Sequence, residues 1–243
     1  MTVTPYKTHQ NKKEQVESMF DSIAVKYDFL NHFFSMGIDK LWRKKVVRII
    51  KSLEPKTVLD IATGTGDLAI CAARGTNANI TGIDISAKML SIGSEKVSKL
   101  SLSKRVQLQK GDAEQLAFED NYFDAAMVAF GVRNFEDLLK GLKEIFRVIK
   151  PGGMFVILEF SKPTIFPVKN LYNFYFKKIM PFMGRLFSKD NRAYTYLPES
   201  VFAFPEGMEM KNILENAGYA AVSIKPVTFK IATIYVCEKP SYE

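Results

Sequence analysis

Short apolar runs alternate with helical patterns of apolar residues through the middle of the chain. Runs typical of buried strands predict five strands, at residues 57–61, 80–84, 106–109, 123–130 and 154–160. Apolar residues at helical spacing predict the intervening helices, near residues 68–74, 87–99 and 135–149. This repeated order of strand and helix is typical of a parallel sheet with right-handed crossovers.

The C-terminal part departs from that order. Residues 161–205 form an insertion rich in Phe, Tyr and Lys, and residues 208–217 have helical spacing. Two alternating segments, 220–226 and 231–238, follow with a short turn between them, which predicts an antiparallel pair. We therefore predict an α/β fold, a Rossmann-like and mostly parallel seven-stranded sheet that ends in an antiparallel pair.

The N-terminal part is helical. Residues 16–50 have helical apolar spacing with breaks at Asp21 and Gly37, which predicts two or three helices. A chain of 243 residues suits one domain. We predict that residues 1–55 form a helical segment at the substrate pocket and that residues 56–243 form the main α/β unit, with the insertion as a helical cover.

The net charge of +8 and the pI near 9.3 favour anionic neighbours such as nucleic acid or a membrane surface. The two cysteines, Cys71 and Cys237, are far apart in apolar stretches, which argues against a disulfide or a metal cluster. No stretch reaches the ~18 apolar residues of a membrane span. We expect a cytoplasmic protein without a metal.

A glycine-rich turn follows the first predicted strand, in VLDIATGTGDLAI at residues 58–70. Gly64 and Gly66 allow positive φ and let a ligand approach backbone N–H groups. Asp60, at the strand end, is a candidate partner for an ammonium group. The alternative is a tight turn without a ligand, since a lone Gly-x-Gly motif is a weak signal.

Asp84 ends the second strand 18 residues after Gly66, close to the ~20 at which an acid that binds ribose is expected. Its carboxylate can accept hydrogen bonds from both ribose hydroxyls. The alternative is local, because either Asp84 or Ser86 can cap the helix that begins near Ala87.

GDAEQLAFEDNYFD, at residues 111–124, follows the third strand. Here Asp112 and the backbone of Ala113 are candidates to bind adenine, and an acidic surface turn is the alternative. Together the three motifs describe an adenosine ligand, which a nicotinamide or flavin dinucleotide also contains. The C-terminal strand pair and Asp60 favour a class I methyltransferase fold, whose cofactor is S-adenosyl-L-methionine.

The chain resembles the ubiquinone and menaquinone biosynthesis C-methyltransferases from about residue 27 nearly to its C-terminus. The most specific match is RVIKPGGMFVILEF at residues 147–160, and YDFLNHFFSMGIDKLWRK at residues 27–44 matches a second signature in part. FGVRNF at 130–135 and RAYTYLPESV at 192–201 are also similar. Asp39 stands where the family usually has His, and Ala129 stands where it has Ser.

The resemblance implies that Thr65, Asp84, Asp112 and Ala113 contact S-adenosylmethionine. It also implies methylation of a ring carbon on a reduced, prenylated demethylquinol, in menaquinone biosynthesis above all. A benzoquinol precursor of ubiquinone and another lipophilic small molecule, such as a sterol, remain alternatives. The oligomeric state is left open, with a homodimer among the possibilities.

A phenol becomes a strong carbon nucleophile only after its hydroxyl proton leaves, so a base or a cation is expected near the end of the fourth strand. We propose Arg133 and Asn134 as the catalytic residues, which orient a water or stabilise the phenolate. The alternatives are that Asn134 caps a helix starting at Phe135 and that Arg133 pairs with a surface acid.

Other polar and aromatic residues of the family motifs are candidates for the substrate pocket, with helix packing or capping as the alternative for each. They are Tyr27, Asp28, Asn31, Arg192, Tyr194 and Tyr196.

The segment at residues 165–187 combines aromatic residues with Lys169, Lys177, Lys178 and Arg185. It is a candidate for peripheral contact with the inner face of the cell membrane, where it would receive a prenyl tail. The alternative is a helical cover over the sheet. A nucleic-acid-binding module is a further reading of the charge, but the basic residues are scattered and no recognised binding motif is present.

Overall fold

The computed structural model describes residues 3–6, 8–35, 37–179 and 191–241. Seven strands form one sheet in the order β3-β2-β1-β4-β5-β7-β6. The first five strands pair in parallel, and β7 pairs antiparallel with both β5 and β6. The predicted class I methyltransferase architecture, with its antiparallel C-terminal pair, is confirmed.

The strands begin and end close to the predicted positions, because each is a short apolar run buried by helices on both faces of the sheet. Their bounds are β1 Thr57–Ile61, β2 Asn79–Asp84, β3 Val106–Lys110, β4 Phe123–Ala129, β5 Ile149–Phe160, β6 Ala220–Val227 and β7 Ala232–Glu238. The exception is β5, which starts five residues earlier than predicted.

Helices cover the two faces of the sheet and bury two separate cores. They are α1 Lys12–Phe34, α2 Ile38–Lys51, α3 Asp67–Gly75, α4 Ala87–Lys99, α5 Leu138–Val148, α6 Val168–Phe174, α7 Asn191–Ala203 and α8 Met208–Asn216. Trp42 and Val46 of α2 pack in one core, and Leu142 of α5 with Leu214 of α8 in the other.

Helix α1 continues through Asp21, so the break predicted there is wrong. The carboxylate of Asp21 instead accepts hydrogen bonds from Ser86 Oγ at 2.6 Å and from the backbone N–H of Lys88 at 3.4 Å. The break predicted at Gly37 is confirmed, because Gly37 has φ 75° and separates α1 from α2. The N-terminal segment is therefore two helices.

The predicted helix 135–149 starts three residues later, at Leu138. Residues Val132–Asn134 form a 3₁₀ turn, and the side chain of Asp137 caps α5 by accepting the N–H of Lys140 at 3.0 Å. The prediction that Asn134 caps a helix at Phe135 is therefore wrong. Asn134 lies at the last position of the 3₁₀ turn instead.

The insertion between β5 and α8 forms a helical cover, as predicted, in the part that the structure describes. Helix α6 continues into a π-helical turn, Tyr175–Ile179, and α7 follows further along the chain. Tyr172 and Phe176 are buried here, while Leu171 and Phe174 are exposed. Within the described ranges, no helix is long and apolar enough to cross a membrane.

Two neighbouring strands end in a backbone conformation that side chains rarely adopt. Ala62, directly after β1, has φ 50°, and Phe130, directly after β4, has φ 60°. Left-handed backbone at a residue other than glycine carries strain and is concentrated at functional sites. Both residues lie at the carboxyl edge of the sheet, where α/β folds bind their ligands.

Candidate active site

The glycine-rich turn between β1 and α3 contacts the end of β2. Gly64 has φ 58° and its backbone N–H donates a 2.8 Å hydrogen bond to Asp84 Oδ2. Gly66 has φ 78°, and a Cβ there would lie 3.3 Å from Leu108 Cδ1. The positive φ angles predicted for the two glycines are therefore what closes this turn against the sheet.

Asp84 accepts two backbone hydrogen bonds at the end of β2. One comes from Gly64 and the other from Ser86 N, which lies 2.8 Å from Asp84 Oδ1. Burial of the carboxyl group raises the pKa of Asp84 to about 6. The cap of α4 is Ser86, whose Oγ accepts the N–H of Met89 at 3.2 Å. Asp84 is thus not the cap and remains a candidate for ribose binding.

A cleft at this edge collects residues from three of the sequence motifs. Gly64, Asp84, Asp112 and Ala113 line it, together with Ala62. Carboxylates at the ends of two strands, beside a glycine turn with accessible backbone, suit the ribose and adenine of an adenosine ligand. The structure thus brings these four predicted contacts together.

Helix α1 lies over the same cleft. Lys13 of α1 forms ion pairs with Asp112 at 2.6 Å and with Glu114 at 3.4 Å. Asp112 also accepts the backbone N–H of Glu114 at 2.9 Å through Oδ1. No sequence motif indicated Lys13, because its partners lie about a hundred residues further along the chain.

Three of the predicted cofactor residues lie behind the glycine turn instead of in the cleft. Asp60 is 1% exposed and accepts the hydroxyl of Thr63 at 2.6 Å, and burial raises the pKa of Asp60 to about 7. The Thr65 hydroxyl donates to Asp28, and Gly66 precedes the first turn of α3. None of the three lines the cleft as the described residues form it, so their contact with the cofactor stays a prediction.

A second cavity, of about 360 Å³, lies beside the cleft and is lined mainly by apolar and aromatic side chains. This volume is within the ordinary range for a small-molecule site. Phe20, Tyr27 and Phe130 line both the cavity and the cleft. Phe130 stacks on Phe160 with ring centroids 4.4 Å apart, and Trp42 contacts both of these rings. We call this space the aromatic cavity.

Arg133 and Asn134 lie where the two spaces meet. Arg133 lines the aromatic cavity and Asn134 lines the cleft. The Arg133 guanidinium forms an ion pair with Glu159 at 2.8 Å, and both side chains are buried. The prediction that Arg133 pairs with a surface acid is therefore wrong. Burial raises the pKa of Glu159, while the charge of Arg133 opposes that effect.

Tyr196 connects this pair of residues to helix α7. Its hydroxyl donates a 3.1 Å hydrogen bond to Asn134 Oδ1, and the ring lines the aromatic cavity. Burial raises the pKa of Tyr196 to about 12, so its hydroxyl keeps its proton at neutral pH. Tyr196 and Tyr27 are thus the predicted substrate residues that the structure places at the cavity.

The other predicted substrate residues are placed elsewhere or are not described. Asp28 pairs with Lys96 at 2.8 Å, and the Arg192 Nε–H donates to the carbonyl of Pro5 at 3.0 Å. Neither is among the described residues that line the aromatic cavity, so direct substrate contact by these two residues stays a prediction. The side chains of Asn31 and Tyr194 lie outside the described residues.

Sequence reasoning missed several polar residues of the aromatic cavity, among them Asp39, Arg43 and Tyr172. Asp39 and Arg43 form an ion pair one turn apart on α2, and the Arg43 guanidinium lies 5.7 Å from the centre of the Phe130 ring. The sequence held one signal for this ion pair. Asp39 stands where the family usually has His, and Arg43 follows four residues later, which is one turn of a helix. Within the described part of the chain, no group of three His, Cys, Asp or Glu residues could hold a metal ion.

The model of the ubiE/COQ5 methyltransferase family matches residues 8–239. A demethylmenaquinone methyltransferase from Bacteroides fragilis is 47% identical over 238 residues, which cover 98% of this chain and 97% of that protein. The ubiquinone/menaquinone biosynthesis C-methyltransferase UbiE of Geotalea daltonii is 45% identical over 230 residues, 94% of this chain and 97% of that protein.

Among solved structures, a putative S-adenosyl-L-methionine-dependent methyltransferase from Methanococcus maripaludis superposes with a TM-score of 0.66. The two chains are 21% identical, and the match covers 97% of this chain and 99% of the other. At 21% identity, this match is evidence for a shared fold only.

Proposed function

Because the chain belongs to the ubiE/COQ5 methyltransferase family, we propose that it transfers a methyl group from S-adenosyl-L-methionine to a ring carbon of demethylmenaquinol. The enzyme class and the cofactor follow from the family. The acceptor rests on the relatives named demethylmenaquinone methyltransferase, with which the chain shares nearly its full length. A benzoquinol precursor of ubiquinone is the second candidate, since relatives named for both quinones are similarly close.

The observation that carries this proposal is the shared wall between the two spaces. Phe20, Tyr27 and Phe130 separate a cleft lined by carboxylates and glycine backbone from a cavity lined by aromatic rings. The first suits a polar adenosyl ligand, and the second suits a flat, apolar ring. A methyl group can pass only between reactants held next to each other and in line.

The residues of the cleft fit S-adenosylmethionine by the chemistry of their polar atoms. Asp84 offers carboxylate oxygens to the ribose hydroxyls, and Asp112 with the Ala113 backbone offers an acceptor and a donor to adenine. When bound, the cofactor supplies a methyl group on a sulfonium, which is electrophilic without further activation. The protein's contribution is therefore mainly to position the acceptor and to exclude water.

The acceptor ring must lose a hydroxyl proton before its carbon becomes a strong nucleophile. Arg133 and Asn134 lie beside the shared wall, and we assign them to the phenolate oxygen or to a water bound to it. Glu159 holds the guanidinium of Arg133, and Tyr196 holds the amide of Asn134. Both side chains are thus fixed in position before the substrate binds.

The decisive experiment uses S-adenosylmethionine labelled on the methyl group. The enzyme is incubated with demethylmenaquinol and, separately, with the demethylated benzoquinol, and the labelled carbon is located in each product. We expect label on a ring carbon of the naphthoquinol, at the higher kcat/KM. Label on oxygen, or the higher kcat/KM for the benzoquinol, would contradict the proposed acceptor.

We also propose that the enzyme contacts an anionic membrane surface through the segment that begins at residue 165. Ile165, Phe166, Leu171 and Phe174 are between 56% and 77% exposed, with the exposed Lys169 among them. Leu171 also lines the aromatic cavity. A prenyl tail can therefore run from the lipid to the cavity along one apolar surface, and lysine favours anionic headgroups.

Flotation with vesicles tests the membrane proposal. We expect binding to phosphatidylglycerol vesicles that weakens with salt, and little binding to phosphatidylcholine. The double variant Phe166→Glu with Phe174→Glu should abolish binding to the phosphatidylglycerol vesicles. Tyr122→Glu with Leu100→Glu, which adds the same two charges at exposed apolar residues outside this segment, is the matched control. Equal flotation of the two variants would refute the proposal. The absence of wild-type flotation at both low and moderate salt would also refute it.

A further inference from the structure

Two polar atoms of the aromatic cavity have no partner. Among the described residues, Arg43 Nε and Tyr172 Oη are the buried side-chain nitrogen and oxygen atoms without a hydrogen bond. Arg43 is 8% exposed and Tyr172 is 5% exposed. Buried polar groups in native proteins are nearly always hydrogen-bonded, so an exception calls for an explanation, and a ligand is one.

Both residues line the same cavity, although they come from distant parts of the chain. Arg43 lies on α2, where its ion pair with Asp39 engages Nη1 and leaves Nε–H. Asp39 also accepts the hydroxyl of Ser35 at 2.6 Å, which fixes the carboxylate. The guanidinium is thus held in place while one of its donors stays available.

Tyr172 lies on α6, in the helical cover. Its ring stacks on Phe176 with the centroids 4.2 Å apart, so the orientation of the side chain is set by packing. Burial raises the pKa of the Tyr172 hydroxyl well above its ordinary value, so the group remains a neutral donor. The two residues that carry these donors, a neutral O–H and a guanidinium N–H, thus line one cavity from two helices.

We propose that Arg43 and Tyr172 bind the ring oxygens of the substrate, a role that rests on the proposed quinol acceptor. Two donors in an aromatic cavity select a flat ring that carries two oxygen acceptors. They discriminate against an apolar ring of the same size, because such a ring leaves both donors buried and unpaired. This pair is separate from Arg133 and Asn134, which lie at the wall shared with the cleft.

The test compares two ligands that differ in the ring oxygens. Menadione (2-methyl-1,4-naphthoquinone) has both oxygens and 2-methylnaphthalene has neither. Trp42 is the single tryptophan of the chain and lines the cavity, so quenching of its fluorescence reports menadione binding. The affinity of 2-methylnaphthalene is obtained by competition. No S-adenosylmethionine is needed, so failure of methyl transfer to every quinol would leave this test intact.

Tyr172→Phe removes the hydroxyl alone. We expect a menadione Kd about tenfold higher, the loss of one hydrogen bond, with 2-methylnaphthalene affinity unchanged. The melting temperature should stay equal or rise, because the hydroxyl has no partner to lose. Arg43→Lys retains a cation for Asp39 but removes Nε, and should raise the menadione Kd by a similar factor.

The matched control is Tyr219→Phe, which removes a buried hydroxyl that donates to Leu142 O at 3.2 Å in the other core. It should lower the melting temperature and leave the menadione Kd unchanged. An unchanged menadione Kd in both Tyr172→Phe and Arg43→Lys would overturn the proposal. An equal loss of affinity for menadione and for 2-methylnaphthalene would also overturn it, because such a loss reflects changed packing of the cavity and not a lost hydrogen bond to a ring oxygen.

Discussion

Lys13 Nζ lies 2.6 Å from Asp112 Oδ2, which ties helix α1 to the turn after β3. The cleft beneath has a volume of about 70 Å³, well below that of sites for drug-sized ligands. We therefore expect α1 to move when S-adenosylmethionine enters and leaves. The same carboxylate is the candidate acceptor for adenine, and the ion pair therefore holds α1 over the adenine end of the cleft.

Lys13→Met should raise both the association and the dissociation rate of S-adenosylhomocysteine. A partly exposed ion pair contributes up to about 1 kcal/mol, so we expect increases of about two- to fivefold in stopped-flow measurements. Lys44→Met, on the exposed side of α2, is the control and should leave both rates unchanged. If Lys13→Met and Lys44→Met have the same rates, α1 is not restrained by this pair.

Cofactor affinity should fall as the pH falls through about 6. Ribose hydroxyls donate to the ionised Asp84 carboxylate, and burial raises the pKa of Asp84 to about 6. Protonation removes the acceptor, so the Kd for S-adenosylhomocysteine should be about tenfold higher at pH 5 than at pH 7. Calorimetric titration across this range measures it.

The Asp84→Asn variant should bind S-adenosylhomocysteine weakly at every pH, so its Kd should no longer depend on pH. The Asp112→Asn variant should retain the pH dependence of the Kd. A wild-type Kd that stays constant from pH 5 to pH 7 would exclude Asp84 as the ribose acceptor.

The unliganded protein should lose stability as the pH rises from about 4 to about 7. Burial raises the pKa of Asp60 to about 7 in the folded state, above the value of about 3.9 in the unfolded chain. The folded state therefore binds more protons in this window, and its advantage disappears as the pH rises through the folded pKa. Thermal melts should show a decrease of several degrees between pH 5 and pH 8.

Asp60→Asn keeps the shape of the side chain without the charge, and should make the dependence of the melting temperature on pH shallower, with the contribution of Asp84 remaining. An equally steep decrease in Asp60→Asn would assign the effect to another group.

Arg133→Lys should lower kcat at least tenfold and leave the Kd for S-adenosylhomocysteine within about twofold, because the residue faces the aromatic cavity and not the cofactor. Glu159→Gln should lower kcat less, since it keeps the hydrogen bond that orients Arg133 but removes the charge. Initial rates and calorimetry on the same preparations measure the two quantities. Equal losses in turnover and in cofactor affinity would argue against a chemical role.

Breaking the buried pair between Arg133 and Glu159 also costs stability, about 3–5 kcal/mol when one charge is left alone. The double variant Arg133→Met with Glu159→Gln leaves no unpaired charge and should be more stable than Arg133→Met alone. Chemical denaturation of these two variants separates the structural cost from the catalytic effect.

The sequence alone determined the sheet and the polar edge of the cleft. Apolar runs with repeated helical crossovers predict a parallel sheet, and parallel strands all end at one edge. Residues that directly follow those strands, such as Gly64, Asp84 and Asp112, therefore come together without any knowledge of side-chain packing. Local chemistry also set the start of α4, because Ser86 is a strong capping residue.

Tertiary structure decided every role that depends on a partner far away in the chain. Asp21 reads as a helix break, yet it contacts Ser86 across 65 residues. The sequence suggested a surface acid as the alternative partner of Arg133, whereas the structure pairs it with the buried Glu159. Burial and pairing depend on which segments pack together, and the local pattern of residues carries no record of that. For the same reason only the folded chain reveals Arg43 and Tyr172 as donors without partners in one cavity.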